Sequence, residues 1–189
     1  VNDQVIHDVC LNKNDLENVL AYVEENHISV HFSELEYSYI NFMNDRMEEL
    51  RKLLGVTLPP ASIDDPKRSL ENPTYQLSVY INEAEEEDFF KQTTNMAGVR
   101  WHELFVDVIP KDGGKTRGID KMLEHFDIKL EDSMAFGDGG NDSAMLGHVG
   151  HGIAMGNAVE SAKVASKFVT DDVDNDGIYK ALERYGLVN

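Results

Sequence analysis

The chain has 189 residues and carries 17 Lys and Arg against 35 Asp and Glu, a net charge of −18 at pH 7. That charge argues against nucleic acid and anionic lipid as partners, and the lone Cys10 excludes an internal disulfide or a zinc site built on several thiolates. No apolar stretch approaches the roughly 18–20 residues that span a bilayer, and no basic-then-apolar leader opens the chain, so a cytoplasmic protein without membrane or nucleic-acid partners is expected.

In chain order, residues 1–11 read as extended, with Val5, Ile6, Val9 and Leu11 apolar. Asn14 is placed to cap a helix whose apolar positions Leu16, Val19, Leu20 and Val23 fall at i, i+3, i+4, i+7 spacing. Ile28, Val30 and Phe32 alternate as in a half-buried strand, and Tyr37 to Phe42 reads as another. Met47, Leu50, Leu53 and Leu54 suit a second helix stopped by Gly55, and the stretch from Pro59-Pro60 to Pro73 reads mostly as loop. Tyr75, Leu77, Val79 and Ile81 alternate again. The acidic run Glu83 to Asp88 suits a first helical turn, because carboxylates favour helix N-termini. Strand-like residues follow around Val99 to Trp101. This first part reads as α+β with an antiparallel sheet wet on one face.

The texture changes near residue 104, where Leu104 to Ile109 forms a dense apolar run. From there strands and helices alternate with short connections. Helix is expected over Lys115–Phe126, strand over Ser133–Phe136, and a short helix over Asn141–Leu146. Strand then follows over Gly152–Met155, helix over Ala158–Ala165, strand over Phe168–Thr170 and helix over Gly177–Tyr185. Such alternation signals a parallel sheet with crossover helices. The class is α/β, with a boundary between residues 1–104 and 105–189.

The segment MAFGDGGNDSAML, residues 134–146, carries the strongest chemical signal. An apolar strand runs into Gly137-Asp138-Gly139-Gly140-Asn141-Asp142, and ligands of open α/β sheets bind beyond such strand ends. Asp138 and Asp142 across a tight turn repel unless a cation joins them, and hard oxygen ligands suit Mg²⁺. An ordinary strand-to-helix turn capped by Asn141 or Asp142 accounts for the same residues. Lys115, at the start of a helix after a strand, could neutralise a phosphoryl group or simply face solvent. Its Gly-Lys-Thr setting is not a nucleotide-binding P-loop, because the required upstream Gly is Ile109. Asp172, Asp174, Asp176, Gly177 and Glu183 satisfy the calcium-loop pattern, but a strand rather than a helix is expected before them. His102-Glu103 lacks the second His of a zinc-protease motif, since Val106 stands at that place.

FGDGGNDSAML, then GIAMGNA, then the DGI that opens the last helix resemble the C-terminal part of the haloacid dehalogenase (HAD) superfamily, and within it the Cof-type sugar-phosphate phosphatases. The resemblance is close over residues 104–187 and looser over 1–103. It implies an α+β cap domain at 1–104, which selects the substrate, and the C-terminal part of a Rossmann-like parallel core at 105–189. It implies a Mg²⁺-dependent phosphatase acting on small phosphorylated metabolites through an aspartyl-phosphate intermediate. Lys115 then matches the lysine that steadies nucleophile and phosphoryl charge, Asp138 and Asp142 the metal site, and Asn141 a phosphate contact. In that family the first of these acids usually ligates the metal directly and the second acts through water or a hydrogen bond. Trp101 and His102, just before the cap returns to the core, are the candidates for substrate specificity.

The resemblance leaves one part unmatched. No apolar strand followed by D-x-D-G-T occurs in the 189 residues, so the nucleophilic Asp is not among them. The expectation is a truncated chain without turnover of its own, with an apolar sheet edge near 104–110 and 133–136 that favours self-association. A non-catalytic Mg²⁺- or phosphate-binding regulatory module, or a calcium binder at 172–183, are the alternative readings.

Overall fold

The computed structural model describes residue 1 and residues 3–53 and 62–189, which divide into two units, Val9–Gly113 and Val1–Asp8 with Gly114–Asn189. The expected stop at Gly55 and the Pro59-Pro60 loop lie outside the described residues.

The unit Val9–Gly113 begins with helix α1 (Lys13–Glu25). Its cap is Asn12, not Asn14: Asn12 keeps an extended backbone and its Oδ1 accepts from the N–H groups of Asn14 (3.0 Å) and Asp15 (3.3 Å). Strands β1 (Val30–Ser33) and β2 (Ser38–Ile40) form a hairpin, followed by helix α2 (Asp45–Leu53) and the short β3 (Ser62–Ile63). A 3₁₀ turn at Pro66–Leu70 precedes β4 (Gln76–Val79) and helix α3 (Glu83–Phe90), whose Asn82 and Glu85 close a capping box. Strands β5 (Met96–His102) and β6 (Phe105–Pro110) complete a six-stranded sheet of order β3-β2-β1-β4-β6-β5. It is antiparallel except for the β2–β3 pair.

One face of this sheet is apolar. Val30, Phe32, Leu77, Val79, Val106 and Val108 share a buried cluster with Leu16, Val19 and Val23 of α1 and Phe89 of α3. The buried Asp15 ties α1 to the α3–β5 turn by accepting from the N–H groups of Thr94 (3.1 Å) and Asn95 (2.6 Å).

The boundary expected at 104 falls instead between Gly113 and Gly114. The apolar run Phe105–Pro110 is apolar because it is a central strand, hydrogen-bonded to β4 on one side and β5 on the other. For the same reason residues 104–110 are not the exposed sheet edge that was expected.

The second unit is wound in parallel. Helix α4 (Lys115–Phe126) follows Gly114, whose φ of 88° a side chain would strain. Strands β7 (Met134–Gly137), β8 (His151–Ala154) and β9 (Phe168–Val169) form a parallel sheet in the order β7-β8-β9. The connections are helices α5 (Ser143–His148) and α6 (Glu160–Ala165), and helix α7 (Gly177–Arg184) closes the chain. Leu146, Ala154, Met155, Ala158 and Ala162 form its buried core. β7 is an edge strand of its sheet, half-buried over Met134–Phe136. Residues 1–11 contain no strand among those described.

Candidate active site

The site is assembled where β7 ends. Gly137 is its last residue, and Asp138 to Asp142 turn back over it. A side chain would be crowded at two positions of the turn. A Cβ on Gly137 would sit 2.5 Å from the Cβ of Asp142, and one on Gly139 would sit 2.4 Å from Oδ1 of Asn141. The glycines therefore let Asp142 fold inward beneath the strand end.

Asp142 is buried at 7% exposure, and its carboxylate is fully engaged. Oδ2 accepts from the N–H groups of Asp138 (3.1 Å) and Gly139 (3.1 Å), while Oδ1 receives Nζ of Lys115. Burial pushes its pKa upward, but the Lys115 ammonium and the two N–H groups outweigh burial and hold it below the usual carboxylate range. Lys115 is the first residue of α4, half-exposed, and lies 27 positions before its partner in the sequence.

Asp138 is different. It is exposed at the strand end, and its side-chain neighbour is the amide of Asn157, whose Nδ2 lies 3.4 Å from Oδ2. Its carbonyl accepts from the N–H of Val159 (2.9 Å), which fastens the turn to the β8–α6 loop. Asn157 also accepts, through Oδ1, from the N–H of Val173 (3.2 Å), so it bridges two loops beyond the strand ends. Asn157 was not singled out by sequence reasoning, although it belongs to the GIAMGNA stretch that carries part of the resemblance. Asn141 lies half-buried in the same turn.

The structure therefore brings Lys115 and Asp142 into direct contact and leaves Asp138 as the open carboxylate of the pair. The N–H groups of Asp138 and Gly139 are spent on Asp142. Among the described residues no group of three His, Cys, Asp or Glu could hold a metal ion. One open strand-end carboxylate does fit Mg²⁺, which takes one or two carboxylates and fills the rest with waters and phosphate oxygens.

Trp101 and His102 lie in the other unit, on the bulged end of β5, with ring centroids 6.3 Å apart. The strand expected ahead of the calcium-loop pattern is present. Strand β9, not a helix, leads into Asp172. Within the pattern, Asp172 accepts from Asn175 Nδ2 (2.7 Å). Gly177 is required by packing, since a Cβ there would stand 2.0 Å from the carbonyl oxygen of Asp171.

A parallel core unit with a Gly-Asp-Gly-Gly-Asn-Asp turn at a strand end, joined to an α+β cap unit, is the architecture of the HAD hydrolases. The model of the haloacid dehalogenase-like hydrolases matches residues 1–182, and the chain belongs to that family. YkrA of Bacillus subtilis strain 168 is 44% identical over 114 residues, 60% of this chain and 44% of that protein. The chain thus matches less than half the length of that curated relative. Among solved structures, a HAD subclass IIB sugar phosphatase is 31% identical, with a TM-score of 0.86 over 100% of this chain and 72% of that one. A HAD-superfamily phosphatase from Bacteroides thetaiotaomicron is also 31% identical, with a TM-score of 0.90 over 99% of this chain and 69% of that one.

Proposed function

We propose that this chain supplies the cap and part of the core of a Mg²⁺-dependent phosphatase for small phosphorylated metabolites, with sugar phosphates as the leading class. The observation that carries the reading is the meeting of Lys115 and Asp142 beside the open carboxylate of Asp138. The subclass IIB sugar phosphatase that resembles the chain supports the substrate class.

In this reading Asp138 is a direct ligand of Mg²⁺. When bound, the ion supplies charge stabilisation to the phosphoryl oxygens. Asp142 does not compete for the ion, because both of its oxygens are committed within the protein. It holds the ammonium of Lys115 at the strand end, where Lys115 offsets phosphoryl charge as it develops. Asn141 contributes an amide to the phosphate. Trp101 and His102 recognise the leaving group. With Asp138 holding the ion, acyl-phosphate chemistry needs a second, nucleophilic Asp, and the D-x-D-G-T segment that carries it in the resemblance is not among the 189 residues, so the chain alone turns over no substrate.

Two measurements test this. Inorganic phosphate titrated with Mg²⁺ is expected to shift the amide resonances of residues 137–142, and Lys115→Ala is expected to weaken that binding at least tenfold. With p-nitrophenyl phosphate the purified chain is expected to show no turnover. Phosphate binding indifferent to Lys115→Ala sinks the assignment of Lys115, and genuine turnover by the pure chain sinks the aspartyl-phosphate route.

A further inference from the structure

Helix α4 carries Lys115, yet apolar packing holds it weakly. None of its residues is fully buried, and Met122 and Phe126 stand 42% and 51% exposed. Its first turn also lacks a side-chain cap, because the residue at that place is Gly114. The backbone that carries Lys115 therefore depends on bonds made further along the chain. Among the described residues, side chains of α4 form hydrogen bonds or ion pairs outside the helix at two places, Lys115 with Asp142 and Asp120 with His148. The remaining ion pair, Lys121 with Glu124 (2.7 Å), is internal to α4.

The second of these contacts is direct. Nε2 of His148 stands 2.6 Å from Oδ1 of Asp120. A carboxylate only accepts, so the imidazole donates through its Nε2–H. Both side chains are partly withdrawn from water. The spacing of the anchors agrees on the two helices. Lys115 and Asp120 lie five positions apart on α4, about 7.5 Å along its axis. Asp142 directly precedes α5 and His148 is its last residue, six positions on, about 9 Å away along the axis. The two helices therefore run side by side in the same direction. A third tie follows α4, where the N–H of Gly150 donates to the carbonyl of Leu130 (2.9 Å). A rigid rod held at two points can still roll about the line that joins them. With Lys115 held at one end and Leu130 at the other, the bond between Asp120 and His148 is the one that stops α4 from rolling.

We propose that Asp120 and His148 are a positioning pair for Lys115: their bond fixes the rotation of α4, and with it the place of the ammonium at the strand end. The proposal rests on the assignment of Lys115 to phosphoryl charge. Neither member of the pair touches phosphate or metal in that reading, so both act through Lys115. Lysine puts its charge on a flexible four-carbon stem, and the ammonium is aimed only as well as the backbone beneath it is placed. A small displacement of such a group costs binding out of proportion to its size, because the charge must meet the phosphoryl oxygens in one geometry.

A double-mutant cycle tests this. Inorganic phosphate is titrated with Mg²⁺ present into the full 189-residue chain, and the amide resonances of residues 137–142 are followed. Asp120→Ala is expected to weaken phosphate binding about threefold or more. In a Lys115→Ala background the same substitution is expected to change nothing, since the residue it acts through is gone. A merely structural role would weaken binding in both backgrounds. His148→Leu breaks the same bond from the α5 side and replaces Asp120→Ala in the cycle should that variant fail to fold. Binding unchanged by the loss of the bond, or weakened equally with and without Lys115, overturns the proposal. The two assignments fail in different ways. Binding indifferent to Lys115→Ala itself removes the Lys115 assignment and the proposal together. Binding sensitive to Lys115→Ala but indifferent to Asp120→Ala and His148→Leu removes the proposal alone.

Discussion

At the scale of single residues, burial and partners decide what each titratable group can do. Asp142 stays ionised under burial because three donors surround it, and Asp138, four residues earlier, stays open to solvent. Two carboxylates of one turn are thereby separated into an internal clamp and an external ligand. His31 shows the reverse balance. Burial in the sheet face lowers its pKa, and the charge of Asp107 pulls back only in part. The folded state therefore binds fewer protons at His31 than the unfolded state does. Stability from this group is present above the unfolded histidine value of about 6.5 and is lost as pH falls below it. Urea midpoints are expected to drop more between pH 7.5 and 5.5 for the native chain than for His31→Gln. Parallel losses in the two proteins would show that His31 contributes no such dependence.

At the scale of elements, close approach rather than propensity fixes the second unit. β8 runs so near α5 that a Cβ on Gly152 would lie 1.8 Å from the carbonyl oxygen of Leu146. Backbone cannot yield as a side-chain tip can, so Gly152→Ala is expected to cost about 1–3 kcal/mol or more. The readout is a fall in the urea midpoint at constant m-value; a change within error would mean the strand can slide. No periodicity announces such a glycine. What the sequence did announce was pattern: α4 appears at Lys115–Phe126 as its apolar spacing predicts, and α1 and the alternating strand at Gln76–Val79 follow the same logic. Patterns of burial do not disclose partners. The apolar run at 104–109 is legible in the sequence, but a buried central antiparallel strand and a buried parallel strand have the same apolar texture. The boundary was accordingly drawn before β6 rather than after it. The site shows the same division. The glycine-rich strand-end turn is visible in residues 137–142, whereas the Lys115–Asp142 contact spans 27 residues and is set by how α4 packs, which spacing does not encode. The bond between Asp120 and His148 was likewise hidden, because it exists only once α4 is laid along α5.

At the scale of the whole molecule, the two units differ in how much core each holds. Val9–Gly113 closes a six-stranded sheet over a large cluster that includes Phe32, Tyr39, Leu77 and Phe89, all fully buried. The unit built on Gly114–Asn189 has a buried cluster of five residues, three of them alanine. Its amphipathic helices keep apolar side chains in solvent among the described residues, with Met122 at 42%, Phe126 at 51% and Ile178 at 47% exposure. Stability scales with apolar area removed from water, so the second unit has the smaller reserve. Urea is therefore expected to unfold it first, in a transition separate from that of the sheet unit. Trp101 belongs to Val9–Gly113 and its fluorescence follows that unit alone. Far-UV circular dichroism follows both. The dichroism midpoint is expected at lower urea than the fluorescence midpoint, with a biphasic or broadened curve. Coincident midpoints would show instead that the chain unfolds as one cooperative body, and that the small core of the second unit borrows its stability from elsewhere in the chain.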